Sequence, residues 1–341
     1  MHQFISIEIN ISMKAMKSHT TIKSKFIGCM LGAAIGDALG KQNEGLTRSD
    51  IKRRGLITDY GKAKAGCPGE ELDACEYTDD TEQMLVLSRS LIECGGFDPL
   101  DFSKRLAKWG KDAMADPKRK SLVGPSSSVS ISRLISGISW KEAGSDFPSC
   151  GSAMRVAPIG LFYKDLDKVE KYAALSSIPT HNSNEAIAGA VAVAVGVRCA
   201  IDGMELPEII KESSTRASRY NEGFGDKIVL SFQMRNEVLS FQMRNEEPDE
   251  VFARLGTSYL ADETVPSAFY CFSRHFDEPE KAMIEAVNAG GDTDSIACIT
   301  GALCGARHGI SAFPERWKKG LQNREFIEDI AGVLYEKSIP K

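Results

Sequence analysis

The chain has 341 residues, of which 42% are hydrophobic and 26% charged, an ordinary composition for a globular protein. Its formal net charge is -5 and no tract is rich in Lys or Arg, so the charge pattern does not indicate a nucleic-acid-binding surface. Nine cysteines, an odd number without a Cys-x-x-Cys pair, fit neither a disulfide framework nor a structural zinc site. We therefore expect reduced thiols in the core of a cytoplasmic protein.

No segment indicates membrane insertion or secretion. The longest apolar run, residues 186–197, is about half of the roughly 20 residues that a membrane span needs. The N-terminus lacks the continuous apolar region and small-residue cleavage site of a signal peptide. We expect a soluble protein without a membrane partner, acting as a monomer.

Residues 1–22 differ in pattern from the rest of the chain. The isoleucines between positions 5 and 11 alternate with polar residues, a strand-like period, and Met13 and Met16 follow closely. We interpret this segment as a flexible extension or a mis-assigned start, and residues 23–341 as one domain. An added edge strand or a partner-binding arm is the alternative.

Helical periodicity dominates from Phe26 onward. Residues 26–39 are apolar with glycine at every fourth position, which places the glycines along one helix face and permits close backbone approach. Residues 81–94 carry an apolar stripe at helical spacing. Alternating strands are scarce, so we predict a compact all-α fold. The other predicted helices span residues 101–114, 129–136, 169–175, 186–201, 206–219, 248–260 and 296–308.

One local repeat stands out. The nine residues 229–237 recur as residues 238–246. Because a solenoid needs three or more units, we expect this duplication to lengthen a surface helix or loop.

Two short acidic clusters carry the strongest chemical signal. Asp79 and Asp80 lie between two threonines, and Asp292 and Asp294 alternate with Thr and Ser, each cluster just before a predicted helix. Helix capping alone is one interpretation, because Asp, Ser and Thr are favoured N-caps. Each cluster has more carboxylates than a cap needs, however, and such crowding requires a counter-cation. Oxygen ligands without adjacent His or Cys select Mg²⁺ or Mn²⁺.

The residues next to the two clusters favour a metal site and argue against the Asp-rich motif of prenyl-diphosphate synthases. Gly290 and Gly291 precede the second cluster and permit a sharp backbone turn. Prenyl-diphosphate synthases also bind metal through Asp-rich motifs on all-α folds, with a third Asp four residues after the first. That position, counted from Asp79, is Gln83, so their motif does not match.

These residues resemble the ADP-ribosylglycohydrolase family, which includes dinitrogenase-reductase-activating glycohydrolases and eukaryotic ADP-ribosyl hydrolases. The resemblance runs from about Phe26 to Tyr335 and rests on five motifs in the family's order. They are Gly-Cys-Met-Leu-Gly-Ala-Ala-Ile-Gly-Asp-Ala-Leu-Gly (28–40), Tyr-Thr-Asp-Asp-Thr (77–81), Cys-Gly-Ser-Ala-Met-Arg (150–155), Thr-His-Asn (180–182) and Gly-Gly-Asp-Thr-Asp-Ser-Ile (290–296).

The resemblance implies a single-domain orthogonal helical bundle with two Mg²⁺ ions, or Mn²⁺. Asp37 is expected to orient the metal ligands. Glu44 matches a metal-site glutamate of some members, the alternative being a solvated loop acid. Ser295 stands where many members have Thr. The implied metal ligands are Thr78, Asp79, Asp80, Asp292, Asp294 and Ser295.

The implied activity is hydrolysis of the glycosidic bond between ADP-ribose and an acceptor on a protein or small molecule. Two metals about 3.5–4 Å apart can hold the ribose hydroxyls, and cleavage passes through an oxocarbenium-like state. Asp79, Asp80 or Glu44 could act as the base. The acceptor is set by surface loops and stays open.

The implied substrate-binding residues lie between the acidic clusters. Gly124, Ser126 and Ser127 open a predicted helix whose free N–H groups could hold the diphosphate. Ser149, Cys150, Gly151 and Ser152 form the family's second phosphate and ribose loop.

Three residues of this region have two interpretations each. Some members have Asn at the position of Cys150, and a nucleophilic cysteine is disfavoured because no His lies nearby in sequence. His181 matches a histidine near the adenosine-side pocket, or is a structural residue. Arg155 could pair with the metal carboxylates or with a helix end.

A second functional class stays open. A non-catalytic or immunity-type protein could use the same scaffold to bind ADP-ribose or a transferase partner, with residues 1–22 as an occluding arm. Such members are expected to lose acidic ligands, and this chain keeps them.

Overall fold

The computed structural model describes residues 21–241 and 249–339, and these ranges are mainly helical. No strand occurs in them, and two isolated β-bridges join loops. The predicted all-α class is confirmed. The helices are α1 (Ile22–Gly40), α2 (Arg48–Arg54), α3 (Asp79–Cys94), α4 (Pro99–Ala115), α5 (Pro125–Ile135), α6 (Ala157–Phe162), α7 (Leu166–Ser177), α8 (Asn184–Ile201), α9 (Leu206–Ala217), α10 (Glu222–Phe241), α11 (Asp249–Leu255), α12 (Ala261–Arg274), α13 (Pro279–Val287), α14 (Thr293–His308), α15 (Glu315–Gly320) and α16 (Arg324–Ser338).

The predicted helices are present with shifted ends, except in one region. The prediction of one helix over residues 248–260 is wrong, because α11 ends at Leu255 and α12 begins at Ala261. Gly256 adopts a φ of 80°, a left-handed conformation that terminates α11. Helix α12 was not predicted; it contains Pro266 inside the helix, a residue that usually breaks or kinks a helix.

Two features of the sequence fall largely outside the described ranges. Of the predicted extension, only Thr21 and Ile22 are described; Ile22 begins α1, and the Thr21 hydroxyl accepts a hydrogen bond from the N–H of Ser24. The first copy of the duplicated nonapeptide, residues 229–237, lies within α10. The second copy extends beyond residue 241, outside the described residues.

Helix α1 packs antiparallel against α14 at backbone contact distance. A Cβ added to Gly32 would lie 2.2 Å from the carbonyl oxygen of Gly301, and one added to Gly36 would lie 2.1 Å from that of Ala297. This line of close contact between α1 and α14 is called here the glycine seam. At its end, a Cβ on Gly40 would meet the carbonyl oxygen of Thr293 at 2.3 Å. The predicted glycine face is therefore the surface that brings the N-terminus of α14 to the C-terminus of α1.

Helix α8 lies in the core. Every residue from 186 to 201 is buried, and α8 contacts α7, α9 and α14. The helix is long and apolar enough to cross a membrane, yet 89% of its residues are buried inside the protein. This burial is what the core helix of a folded domain requires, and the helix is longer than the apolar run seen in the sequence.

The seam yields a stability prediction. Gly36→Ala should lower the free energy of unfolding by about 1–3 kcal/mol or more, because the added methyl group would overlap backbone atoms of α14. Gly332→Ala in α16 is the matched control: its nearest neighbour is the flexible Lys23 side chain at 3.4 Å, so higher helix propensity should give up to about 1 kcal/mol of stabilisation. Urea unfolding measures both. Equal stabilities of Gly36→Ala and the native protein would contradict the seam.

Candidate active site

Asp37 of α1 positions the first acidic cluster. Its buried carboxylate accepts hydrogen bonds from the N–H of Thr78 at 2.9 Å, the N–H of Thr81 at 3.0 Å and the Thr81 hydroxyl at 2.6 Å. These donors belong to the N-terminus of α3, whose N–H groups have no partner within the helix. Asp37 therefore ties α3 to α1 and fixes the direction in which Asp79 and Asp80 leave the backbone.

The second cluster is held at the same place by the glycine seam. The Thr293 hydroxyl donates to the carbonyl oxygen of Gly40 at 2.8 Å. The Ser295 hydroxyl donates to Oδ2 of Asp80 at 3.0 Å, so the two clusters are in direct contact. The N-termini of α3 and α14 thus meet beside the end of α1, and their partial positive charges face the carboxylates.

The helix starts differ from those predicted. Helix α3 begins at Asp79, so Asp79 and Asp80 lie in its first turn and do not precede it. Asp292 is the N-cap residue of α14, and Asp294 lies in the first turn. The predicted glycine turn is present, because Gly291 has a φ of 70°.

This turn also carries Glu44 to the site. The N–H of Gly45 donates to the carbonyl oxygen of Gly291, and the N–H of Gly291 donates to the carbonyl oxygen of Leu46, both at 2.8 Å. Glu44 consequently lies close enough to Asp292 and Asp79 for their charges to raise its pKa. The structure places it at the acidic site and not on a solvated loop.

The clustered carboxylates are electrostatically costly. Burial, followed by the charge of Asp37, raises the pKa of Asp79 to about 8. Burial and the charges of Asp292 and Asp79 raise the pKa of Glu44 to about 8. The pKa values of Asp80 and Asp294 also lie well above their usual range, with burial as the largest cause.

The donor set fits a hard divalent cation. Oδ1 of Asp294 is buried without a hydrogen-bond partner in the described structure, as expected of an oxygen that awaits a ligand. The surrounding donors are carboxylate and hydroxyl oxygens, which suit Mg²⁺ or Mn²⁺. Within the described ranges, no three His, Cys, Asp or Glu side chains are already arranged as a preformed metal site. Binding would therefore require small side-chain adjustments.

A pocket of about 600 Å³ opens from the acidic cluster, within the size range of small-molecule sites. All six predicted metal ligands and Glu44 line one end. None of its described lining residues is Lys or Arg. The predicted substrate residues that also line it are Gly124, Ser126, Ser127, Ser149, Cys150, Gly151 and His181.

The N-terminus of α5 forms part of the pocket wall. Its N-cap, Gly124, offers no side-chain cap, so the first N–H groups of the helix are free of such a partner. The Ser149 hydroxyl donates to the Ser126 hydroxyl at 3.0 Å, which joins this helix end to the second predicted loop.

Ser152 is a correction to the predicted set. Its buried hydroxyl donates to the carbonyl oxygen of Ala186 at 3.2 Å and accepts from the Ser177 hydroxyl at 2.8 Å. It does not line the pocket, because residues 150–152 form a short 3-10 turn that directs it inward. Ser152 supports the loop from behind.

Cys150 contacts the acidic cluster directly. Its thiol donates to Oδ2 of Asp292 at 3.0 Å, and burial with the Asp292 charge raises the pKa of Cys150 well above its usual range. A protonated thiol is a poor nucleophile, so the geometry agrees with rejecting a cysteine mechanism.

Two aromatic residues at the pocket mouth were missed. Phe147 and Tyr259 are 46% and 60% exposed, and their ring centroids are 6.0 Å apart. The Tyr259 carbonyl oxygen accepts the N–H of Cys150 at 2.9 Å, which brings this distant residue to the loop. No local sequence signal marks them, because the pairing joins segments over 100 residues apart.

The sequence model of the ADP-ribosylglycohydrolase family matches residues 18–341. An uncharacterised protein of Archaeoglobus fulgidus is 41% identical over 92% of this chain and 97% of its own length. The human ADP-ribosylhydrolase ARH3 is 28% identical over 92% of this chain and 93% of its own length.

A solved structure gives a matching result. A chain described as an ADP-ribosylglycohydrolase-related protein complex aligns with a TM-score of 0.71 and 26% identity. The alignment covers 93% of this chain and 99% of that one. Because these matches span nearly the whole of each protein, they reach both acidic clusters and the pocket between them.

The raised pKa values predict an unusual pH dependence of stability. Without divalent cations, folded Asp79 and Glu44 bind protons up to about pH 8, whereas unfolded carboxyl groups release them near about pH 4. Their stabilising contribution is complete below about pH 4 and is lost as the pH rises through about 8. Saturating Mg²⁺, at about 100 times its Kd, should restore about 2.7 kcal/mol at alkaline pH.

Thermal melts in EDTA and in MgCl₂ from about pH 5 to about pH 9 test this dependence. Asp79→Asn should weaken the loss of stability at alkaline pH, because it removes one buried charge, and should abolish the stabilisation by Mg²⁺. A melting temperature in EDTA that rises steadily with pH, together with no response to Mg²⁺, would contradict the electrostatic account.

Proposed function

This chain belongs to the ADP-ribosylglycohydrolase family, and from this premise we propose that it is a Mg²⁺-dependent hydrolase of ADP-ribosyl glycosidic bonds. The observation that carries the proposal is the direct contact of the two acidic clusters, through Ser295 and Asp80, at one end of a nucleotide-sized pocket. The substrate is an ADP-ribosylated protein or an ADP-ribose-containing small molecule, from which ADP-ribose is released.

The chemistry of the pocket wall follows the parts of ADP-ribose. The acidic end suits a cation-bound ribose, whose vicinal hydroxyls are oxygen ligands. The uncapped N-terminus of α5, with Ser126 and Ser149, suits the diphosphate, since helix N–H groups bind anions without any Lys or Arg. Phe147 and Tyr259 at the mouth offer aromatic faces to a nucleobase.

The six predicted ligands would hold two Mg²⁺ or Mn²⁺ ions. Bound there, the ions supply positive charge that offsets the carboxylates and polarises the ribose hydroxyls. The protein's own contribution is to fix the ligands: Asp37 holds the first turn of α3, and the turn at Gly291 holds Asp292 and Glu44 beside it.

Glu44 is the best placed of the three candidate bases. Oδ2 of Asp80 accepts from Ser295 and Oδ2 of Asp79 accepts from Gln83, so both aspartates are held by neighbours. Glu44 leaves a loop and lines the pocket. Burial raises its pKa to about 8, as it does that of Asp79, so the pKa does not separate these two candidates. Glu44 can receive a proton from water that attacks the anomeric carbon.

The immunity-type alternative receives no support from the described residues. It depends on residues 1–22, of which only Thr21 and Ile22 are described, and it expects eroded acidic ligands. The clusters are complete and brought together, which favours catalysis.

The metal ligands yield the first functional prediction. Asp79→Asn and Asp294→Asn should each abolish Mg²⁺-dependent stabilisation and ADP-ribose release together, because each removes a charged ligand. Mg²⁺ titration calorimetry and an ADP-ribose release assay measure the two effects. Full activity in either variant would refute a dinuclear mechanism.

Glu44→Gln should behave differently. We expect kcat to fall about 10²–10⁴-fold, the usual contribution of a general base, while a clear Mg²⁺-induced rise in melting temperature remains. Loss of the Mg²⁺ response with unchanged kcat at saturating Mg²⁺ would make Glu44 a ligand and not the base.

The acceptor is identified by a panel assay. ADP-ribosyl-arginine, an ADP-ribosyl-serine peptide and O-acetyl-ADP-ribose are each incubated with the protein in Mg²⁺ or EDTA. At least one substrate should release ADP-ribose in Mg²⁺ and not in EDTA. Release from none of them, by protein that binds Mg²⁺ normally, would argue against this substrate class.

A further inference from the structure

Arg155 is a buried cation that has no carboxylate partner among the residues that the structure describes. Its side chain is fully buried, and its guanidinium lies over the Phe102 ring at 5.4 Å from the centroid. Isolating a charge in this way is costly, and an apolar residue of similar volume would avoid the cost. The contacts that Arg155 makes therefore call for an explanation beyond packing.

Arg155 contacts the two ends of the pocket through one intermediary on each side. Nη1 donates to Oε1 of Gln83 at 2.5 Å, and Nε2 of Gln83 donates to Oδ2 of Asp79 at 2.7 Å. Nη2 donates to the Thr180 hydroxyl at 2.6 Å, and this hydroxyl lies 2.8 Å from Nδ1 of His181. Asp79 and His181 both line the pocket.

The donor and acceptor in each of these two series of hydrogen bonds follow from the chemistry of arginine, whose side chain has only donors. Gln83 must turn its oxygen toward Arg155, so its NH₂ group faces Asp79. Thr180 must accept from Arg155, and in the described structure Nδ1 of His181 is the acceptor within reach of its proton. This arrangement favours the tautomer in which His181 accepts at Nδ1 and carries its own proton on Nε2.

The free edge of the His181 ring lies against the substrate loop. A Cβ added to Gly151 would lie 2.7 Å from both Cε1 and Nε2 of His181. Burial, with the nearby charge of Arg155, lowers the pKa of His181 to about 3, which agrees with a neutral ring. A neutral ring with a fixed tautomer offers one donor whose position does not change near neutral pH.

We propose that Arg155 is a positioning residue that fixes hydrogen-bond direction at both ends of the pocket, presenting a Gln83 N–H to Asp79 and holding His181 with its proton on Nε2. One buried side chain thereby orients a carboxylate at the acidic end and a donor beside the Gly151 loop. The consequence for catalysis rests on the proposed function, whereas the tautomer does not.

The hydrogen bonds that run from Arg155 through Thr180 to His181, called here the His181 arm, are tested by nitrogen NMR of protein labelled with ¹⁵N-histidine. The chain has five histidines, and a His181→Gln sample identifies the signals of His181. We expect a neutral ring with the proton on Nε2 at neutral pH. Thr180→Val should lose this single tautomer, and Thr180→Ser, which keeps the hydroxyl, should retain it. A proton on Nδ1, or a charged ring, in the native protein would overturn this arm.

The hydrogen bonds that run from Arg155 through Gln83 to Asp79, called here the Asp79 arm, are tested by measuring Mg²⁺ affinity. Gln83→Met should weaken Mg²⁺ binding about 10–100-fold, the usual cost of losing a hydrogen bond to a ligand, and leave the His181 tautomer unchanged. Thr180→Val should give the reverse pattern. Unchanged Mg²⁺ affinity in Gln83→Met would overturn the Asp79 arm.

Arg155→Lys separates the shared role from simple destabilisation. The single ammonium group of lysine cannot reproduce the two directed N–H donors of the planar guanidinium. Both the His181 tautomer and the Mg²⁺ affinity should therefore change in this variant. Arg198→Lys is the matched control: Arg198 is also buried but pairs with Asp202 near the far end of α8, so neither readout should change. If Arg155→Lys folds and moves neither readout, the proposal fails. Native protein without Mg²⁺ affinity would refute the proposed function and the Asp79 arm together, and the His181 arm would be decided by NMR alone.

Discussion

The site depends on one contact, the backbone-to-backbone packing of α1 against α14. Glycines on both helices let the chains approach so closely that a single added methyl group would overlap a carbonyl oxygen. This contact sets the N-terminus of α14 beside the end of α1, and Asp37 of α1 then ties down the N-terminus of α3. Two acidic clusters more than 200 residues apart thus share one space.

Bringing the two acidic clusters together is electrostatically unfavourable, and neighbouring groups offset part of this repulsion. Burial, followed by repulsion from the neighbouring carboxylates, raises the pKa values of Asp79 and Asp80. Helix N-termini, the Ser295 hydroxyl and the Gln83 amide offset part of this repulsion. Oδ1 of Asp294, which has no hydrogen-bond partner among the described residues, indicates that these groups do not offset all of the repulsion. A divalent cation would supply the missing charge, and the proposed hydrolysis would use the same cation to polarise the ribose.

The sequence was sufficient for the local features and insufficient for the long-range ones. Glycine spacing and paired aspartates are visible in short windows, so the all-α fold, the α1 face and the acidic residues could be predicted. The Gln83–Arg155 contact and the approach of Tyr259 to Cys150 join distant segments, and no local pattern encodes them. Ser152 was predicted to face the substrate because a motif gives residue order but not side-chain direction. Gln83, used in the sequence only to reject another family, lies between Arg155 and Asp79 in the structure.

The central claim is that the two clusters bind two divalent cations together. The most direct measurement is the anomalous difference map of a crystal grown with Mn²⁺. The account predicts two peaks about 3.5–4 Å apart between the N-termini of α3 and α14, with Asp294 among the ligands. A well-diffracting crystal with no peak there, or with peaks only at surface carboxylates, would contradict it.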